Sequence, residues 1–350
     1  MQRIAIHRHI SAKSTLGWGA LFFVLTQIAL NVYLDVWHPE QYDGEFDIRL
    51  SLLQERIAEN PGQPLLLLVG SSRMTMNYLP EQLPPLYTPA GQRVLPFNFA
   101  HLGAGPAMNL LEVRRLLRAG IRPDWLIVEI MPPQLNDDKQ RILHDMAAAG
   151  DLPMVFRHKN LFASLGLYAR TRVAPCYRQR AYLVRCLLPQ WPSPEDKPIR
   201  DTVPLGPLGG DYEWWAVSNP DAKDVEMRTF HTKAGYFPPL QEGFRIAELS
   251  DSTMRELLDL CRSEGIAVVL LLSPEGPTFR SWYCAPARKL IDEYSATLSR
   301  DYGLPLIDAR DWLDEADFID SHHTTLEGAH RFTQRLGCDV LVPLVAGKLR

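Results

Sequence analysis

A chain of 350 residues that is 46% hydrophobic and 22% charged has the composition of ordinary globular material, long enough for one large domain or one domain with a sizeable insertion. Its net charge of -4 and pI near 6.2 leave no electrostatic footprint for a polyanion, so nucleic acid is not an expected partner. The five cysteines, at 176, 186, 261, 284 and 338, show neither CxxC pairs nor metal-finger spacing.

Residues 1–14 form a basic tail with Arg3, Arg8 and Lys13, followed by 15-TLGWGALFFVLTQIALNVYL-34, which has no charged residue. That run matches the ~20 residues a helix needs to cross a bilayer, and Asp35, Glu40, Asp43, Glu45 and Asp47 follow it. The charge asymmetry predicts a transmembrane anchor over 15–34 with the tail in the cytoplasm and the rest exported, facing the periplasm or the cell exterior in a bacterium. A cleaved signal peptide competes, but the run exceeds an apolar signal core and no small-x-small site follows it cleanly. Thr26, Gln27 and Asn31 lower its hydropathy. Export would permit a disulfide, with Cys176 and Cys186 the nearest pair, while Cys261 and Cys338 sit in apolar helical contexts that suit core packing.

Apolar spacing predicts a helix over 48–60, ending before Pro-Gly. The run 64-PLLLLVG-70 reads as a strand buried on both faces. It delivers Ser71, Ser72 and Arg73 to its carboxyl edge, where open α/β sheets place their ligands. One serine there can cap the next helix or act as a nucleophile; the string alone allows both. A strand at 94–100, a helix at about 106–119 and a strand at 124–130 follow. A helix near 251–264, a strand at 266–273, a helix near 283–301 and a strand at 304–309 complete the series. Strand, helix and strand repeated in this way predict a parallel five-stranded sheet flanked by helices.

Between the halves, about 132–245 is too long for a connection and reads as an insertion or lid within a domain covering 48–340. It holds 168-YARTRVAPCYRQRAYLVRCLLPQWP-192 and 211-DYEWWAVSNP-220. Trp214 and Trp215 could stack on a sugar ring, although aromatic pairs more often serve as packing mass.

The string 317-DFIDSHHTTLEGAHRF-332 supplies Asp320, His322 and His323 on one loop. A serine hydrolase needs a hydroxyl, an imidazole to take its proton and a carboxylate to orient that imidazole. Asp320 and His323 meet the last two needs. A helix start with Asp320 as cap and both histidines solvated is the plainer alternative. A metal site is the third, and it lacks a second ligand cluster elsewhere in the chain.

Together these strings resemble the SGNH (GDSL-like) hydrolase superfamily, whose sheet is flavodoxin-like. In 70-GSSR-73 Ser72 takes the nucleophile's place, and in 320-DSHH-323 Asp320 and His323 match Asp-x-x-His. The second family block resembles 98-NFAHLGAGP-106, which begins at Asn98. The resemblance implies catalysis by Ser72, Asp320 and His323, with an oxyanion hole from the amides of Ser72 and Gly103, Gly105 being the rival. No cofactor and no metal are expected. The third block departs: 128-VEIMPPQLND-137 has proline where the family's oxyanion Asn falls, leaving Gln134 or Asn136 as substitutes, and losing one such donor can cost about 3 kcal/mol. Arg73 either fixes the nucleophile turn or is solvated as a surface side chain, and His322 is a neighbour of the site.

The departure, the Gly-Ser-Ser-Arg string and the single anchor are shared with membrane-linked O-acetyltransferases of exopolysaccharide assembly, including the alginate acetylation proteins. More distantly the chain is similar to the D-alanine transfer protein of teichoic acids. The resemblance implies acyl transfer through an acyl-serine to a glycan hydroxyl, beside a multi-span membrane acyl carrier. Plain carbohydrate or lipid ester hydrolysis, or non-catalytic glycan binding in an assembly complex, are the alternatives.

Overall fold

The computed structural model describes residues 2–37, 42–136, 146–158, 166, 172–188, 190–191, 205–210, 221–241 and 243–349. The chain divides into two compact units, one of residues 1–44 with 144–198 and one of residues 45–143 with 199–350. The stretch 132–245 is thus shared, its middle grouping with the N-terminal helix and its end with the sheet. Trp214 and Trp215 lie outside the described residues.

In the first unit, helix α1 (Gln2–Trp37) is long and apolar enough over Ala12–Trp37 to cross a membrane. Leu16, Trp18, Phe22, Phe23 and Ile28 on it are exposed. Leu34, Tyr42 and Ala148 form a small buried cluster with Leu30 against them.

The second unit opens with α2 (Gly44–Glu59) and is organised by five parallel strands. These are β1 (Leu65–Val69), β2 (Leu95–Asn98), β3 (Trp125–Ile130), β4 (Ala267–Leu272) and β5 (Leu306–Asp308). Their spatial order is β2-β1-β3-β4-β5, the flavodoxin-like order, whose switch point lies between β1 and β3. The register pairs Leu67 with both Phe97 and Leu126. Leu66, Leu67 and Leu68 are fully buried, as a strand covered on both faces demands, and each such side chain removed from water stabilises by about 1.5–3 kcal/mol.

Because side chains alternate across a strand, Leu66, Leu68, Ile127, Val269 and Leu271 share one face. They form a core with Met74, Phe332 and Leu336, brought by α3 (Ser72–Asn77) and α11 (Leu326–Leu336). Helices α4 (Pro106–Arg118) and α9 (Glu248–Ser263) pack against each other. Between them in sequence come the short α5 (Pro132–Leu135), the helices α6 (Pro175–Arg178) and α7 (Arg180–Leu187) of the first unit, and α8 (Ala222–Tyr236). Helix α10 (Ala285–Tyr302) links β4 to β5.

All five cysteines are free, so Cys176 and Cys186 form no disulfide. Cys261 is buried, and burial pushes its thiol up to about 12. Cys338, expected in the core, is exposed: it falls in a π-helical turn over Gly337–Leu341 whose Val340 and Leu341 take the buried positions instead.

Candidate active site

The two serines after β1 divide the roles that the string left open. Ser71 is the N-cap of α3, its hydroxyl accepting from the Arg73 amide at 3.2 Å, while Ser72 begins the helix half-buried. Ser72 Oγ lies 3.0 Å from His323 Nε2. Gly70 before them is needed for close approach, since a Cβ there would stand 2.6 Å from Glu129 Oε2 and 2.8 Å from Glu129 Cβ. That carboxylate, near the end of β3, accepts from the Ser71 amide at 2.6 Å and from Ser273 Oγ at 2.5 Å. It therefore ties three strand ends to the serine turn.

His323 Nδ1 lies 2.8 Å from Asp320 Oδ2. The carboxylate can only accept, so Nδ1 carries the proton and the Nε2 lone pair faces Ser72. Asp320 also accepts from the amides of His322 at 2.9 Å and His323 at 2.6 Å. Its Oδ2 takes a further bond from Thr232 Oγ1 at 3.0 Å. Burial opposes the Asp320 charge, but His323 and the two amides outweigh it and hold the carboxyl below its ordinary value.

The loop itself is tightly specified. Ser321 has a left-handed φ of 62°, a conformation that strains a non-glycine residue by about 1–3 kcal/mol. It persists because Ser321 Oγ accepts from the Phe279 amide and its carbonyl from the Gly276 amide, both at 2.9 Å. Asn77 at the end of α3 accepts from Thr324 Oγ1 at 2.9 Å, joining the serine helix to the histidine loop. Thr325 caps α11 through the Gly328 amide, so the capping role considered for Asp320 belongs elsewhere. A Cβ on Gly276 would stand 2.3 Å from Ser321 Oγ and 2.9 Å from its carbonyl oxygen. Gly276→Ala is expected to cost about 1–3 kcal/mol and to lower ester turnover by displacing Asp320, read in parallel by urea unfolding and by kinetics.

Arg73 and His322 are not solvated; both are fully buried. Arg73 Nε donates to His322 Nδ1 at 3.0 Å and Nη1 to Glu275 Oε1 at 2.8 Å. Tyr283 donates to the same Glu275 oxygen at 2.5 Å. Burial works against the Arg73 charge, yet Glu275, Tyr283 and Glu129 more than offset it and raise its pKa. Since arginine only donates, His322 must accept at Nδ1 and hold its proton on Nε2. The ring stacks on Phe279 at 5.1 Å and stands perpendicular to His323 at 4.3 Å. Burial, then Arg73 and His323, hold its pKa well below 6.5.

Both depressed values act in one direction. Below about pH 6.5 the unfolded chain protonates its copy of His322 while the fold does not, so the unfolded state binds more protons and stability falls with pH. Asp320 adds a second loss as pH drops from the ordinary 3.8 through its lower folded value. The urea midpoint is expected to decline between about pH 6.5 and 5, and His322→Asn, whose amide oxygen still accepts from Arg73, to flatten that interval.

The oxyanion candidates separate. Among the described residues the amides of Ser72, Gly103 and Gly105 make no hydrogen bond. Gly103 has a φ of 71°, which favours glycine. Gln134 on α5 lies against Gly105, where a Cβ would meet its Oε1 at 3.4 Å. Asn136 points elsewhere, donating to the Pro239 carbonyl at 3.2 Å. Asn98 clamps the back of α3, donating to the carbonyls of Met74 and Tyr78, each at 2.8 Å. Glu129, Thr232, Ser273 and Glu275 escaped the sequence reading; Glu129, an acid inside the apolar run 125-WLIVEI-130, was the one visible signal. Among the described residues no group of three or more His, Cys, Asp or Glu could hold a metal ion.

A family model described as a protein of unknown function, DUF1574, matches residues 38–182, and a second model that carries no description matches residues 244–341. No curated protein matches the chain. A solved structure from Bacteroides fragilis NCTC 9343, described provisionally as an acylhydrolase, is similar at 12% identity and a TM-score of 0.36, covering 83% of this chain and 94% of its own. A likeness at that level carries no argument about activity.

Proposed function

We propose that this chain is a membrane-anchored serine acyltransferase or esterase of SGNH type, with O-acetyl transfer to an extracytoplasmic polysaccharide the favoured reaction. The observation that carries the reading is the continuous line from Ser72 Oγ through His323 to Asp320, 3.0 and 2.8 Å long at its two joints. Ser72 Oγ attacks the ester carbonyl as His323 Nε2 takes its proton, and Asp320 stabilises the imidazolium. The proton then passes to the departing alcohol, leaving an acyl-serine. A glycan hydroxyl or water, deprotonated by His323, cleaves that ester and returns Ser72. The amides of Ser72 and Gly103 or Gly105 face the oxyanion, with Gln134 in place of the family's Asn. Helix α1 holds the unit at the cytoplasmic membrane, its basic end inside, beside a multi-span acyl carrier.

The test is acyl trapping on the full chain in detergent with p-nitrophenyl acetate. Acetyl recovered on the peptide bearing Ser72, and transferred faster when an oligosaccharide is added, supports the transferase. Acetyl release unaffected by oligosaccharide supports a plain esterase. Proline at position 132 in place of an oxyanion Asn favours a second reading, non-catalytic glycan binding. That reading stands if no acetyl forms and Ser72→Ala leaves glycan binding intact.

A further inference from the structure

The polar side chains that interrupt the apolar span have partners. Gln27 is buried, and its amide brackets Cys176: Nε2 donates to Sγ at 3.0 Å and Oε1 accepts from the Cys176 backbone amide at 3.3 Å. One turn on, Asn31 Nδ2 donates to the Arg172 carbonyl at 2.8 Å. A further turn on, Asp35 pairs with the Arg172 guanidinium at 3.0 Å, which also lies 3.7 Å from the Tyr42 ring centre. One stripe of α1 therefore fastens residues 172–176, and it neutralises two backbone groups that helix geometry leaves open there.

Gln27 lies seven residues before residue 34, which at 1.5 Å per residue is roughly 10 Å inside the end of the apolar run. A bilayer core is about 30 Å thick, so a segment bonded to Gln27 sits at membrane depth. Irregular backbone is tolerated at that depth only where protein groups satisfy it, and Gln27 and Asn31 do so here. Beyond the fastening, Val173, Tyr177, Leu187 and Trp191 are each more than two-thirds exposed. Arg180 covers the Tyr177 ring at 4.8 Å and donates to its carbonyl, and its long side chain can carry the charge toward the headgroups while the ring stays at depth.

We propose that residues 172–188, including α6 and α7, with 190–191, form a membrane-immersed arm that lines the C-terminal half of α1 and contacts lipid through Val173, Tyr177, Leu187 and Trp191. The inference rests on α1 spanning the membrane. Lipid is the occupant because Tyr177 follows Cys176, which is bonded to Gln27 inside the apolar run of α1, a helix whose Phe22, Phe23 and Ile28 are over half exposed.

The experiment uses spin labels placed singly at 173, 177 and 187 of the full chain, native cysteines replaced, in phosphatidylcholine liposomes. Collisions with oxygen, which partitions into lipid, are compared with those of a water-soluble nickel complex, with labels at Ile28 and at the exposed Lys289 as references. Arm positions that favour oxygen as Ile28 does, and unlike Lys289, support the arm. Nickel-accessible arm positions with Ile28 still in lipid overturn the arm and leave the span standing. Nickel access at Ile28 as well overturns the span and the arm together. Arm positions shielded from both reagents mean that a second copy or another protein covers them, which overturns lipid contact. A second measurement keeps the native cysteines: the emission lost in Trp191→Phe should itself be quenched by brominated phosphatidylcholine, beyond the quenching of Trp18 and Trp37 on α1 that both proteins share, and an unquenched difference overturns the arm.

Discussion

Ser72→Ala is expected to lower hydrolysis of p-nitrophenyl acetate by at least about four orders of magnitude, toward the residual rate that binding and backbone amides alone sustain. His323→Ala should cost a similar factor, and the double variant little more than either. A hydroxyl and the base that deprotonates it work as one unit, so removing the second part of a broken unit changes nothing. Asp320→Asn should fall less, because the Nδ1 partner survives in part while its charge is lost. The readout is steady-state release of p-nitrophenolate, with circular dichroism to establish that each variant is folded. Additive losses in the double variant would sink the triad as a unit and point to an independent role for one of the pair.

Arg73→Met is expected to destabilise the sheet unit by about 3–5 kcal/mol, because it strands Glu275 and Glu129 as buried carboxylates without their cation. Glu275→Gln should cost less than Arg73→Met, since its amide still accepts from Arg73 and Tyr283 while Glu129 remains to balance the guanidinium. The pair Arg73→Met with Glu275→Met should recover much of the loss, as replacing both ends of a buried ion pair with apolar groups often does. Urea midpoints of the three variants decide the matter. Equal midpoints for parent and Arg73→Met would mean that water reaches the guanidinium and that the buried network is not a stabilising unit.

The sheet was largely legible in the sequence because strands covered on both faces must be continuously apolar, and 65-LLLLV-69 and 267-AVVLLL-272 are. Boundaries moved inward by a residue or two, as at β5, where the strand is Leu306–Asp308 although 304–309 reads as extended and Pro305 and Ala309 still bond to β4 from just outside it. The Ser71 and Ser72 pair was legible as a turn, but which serine caps depends on where the first helical amide falls, and that is settled by Arg73 packing inward. Arg73 itself was illegible: an arginine beside a glycine turn reads as solvated unless a carboxylate 202 residues away comes to meet it. Thr232 was equally hidden, arriving on Asp320 from a helix 88 residues upstream. His322 and His323 are chemically alike in sequence, and only the opposite partners at their Nδ1 atoms, an obligate donor for one and an acceptor for the other, make them different groups.

The separation of 251 residues between Ser72 and His323 also bears on synthesis. At roughly 5–20 residues per second, the serine leaves the ribosome tens of seconds before the imidazole that would deprotonate it. On the proposed chemistry, a chain that stops short of residue 323 would have its first strand and its hydroxyl but no base, and premature termination would yield inert protein instead of an ungoverned nucleophile.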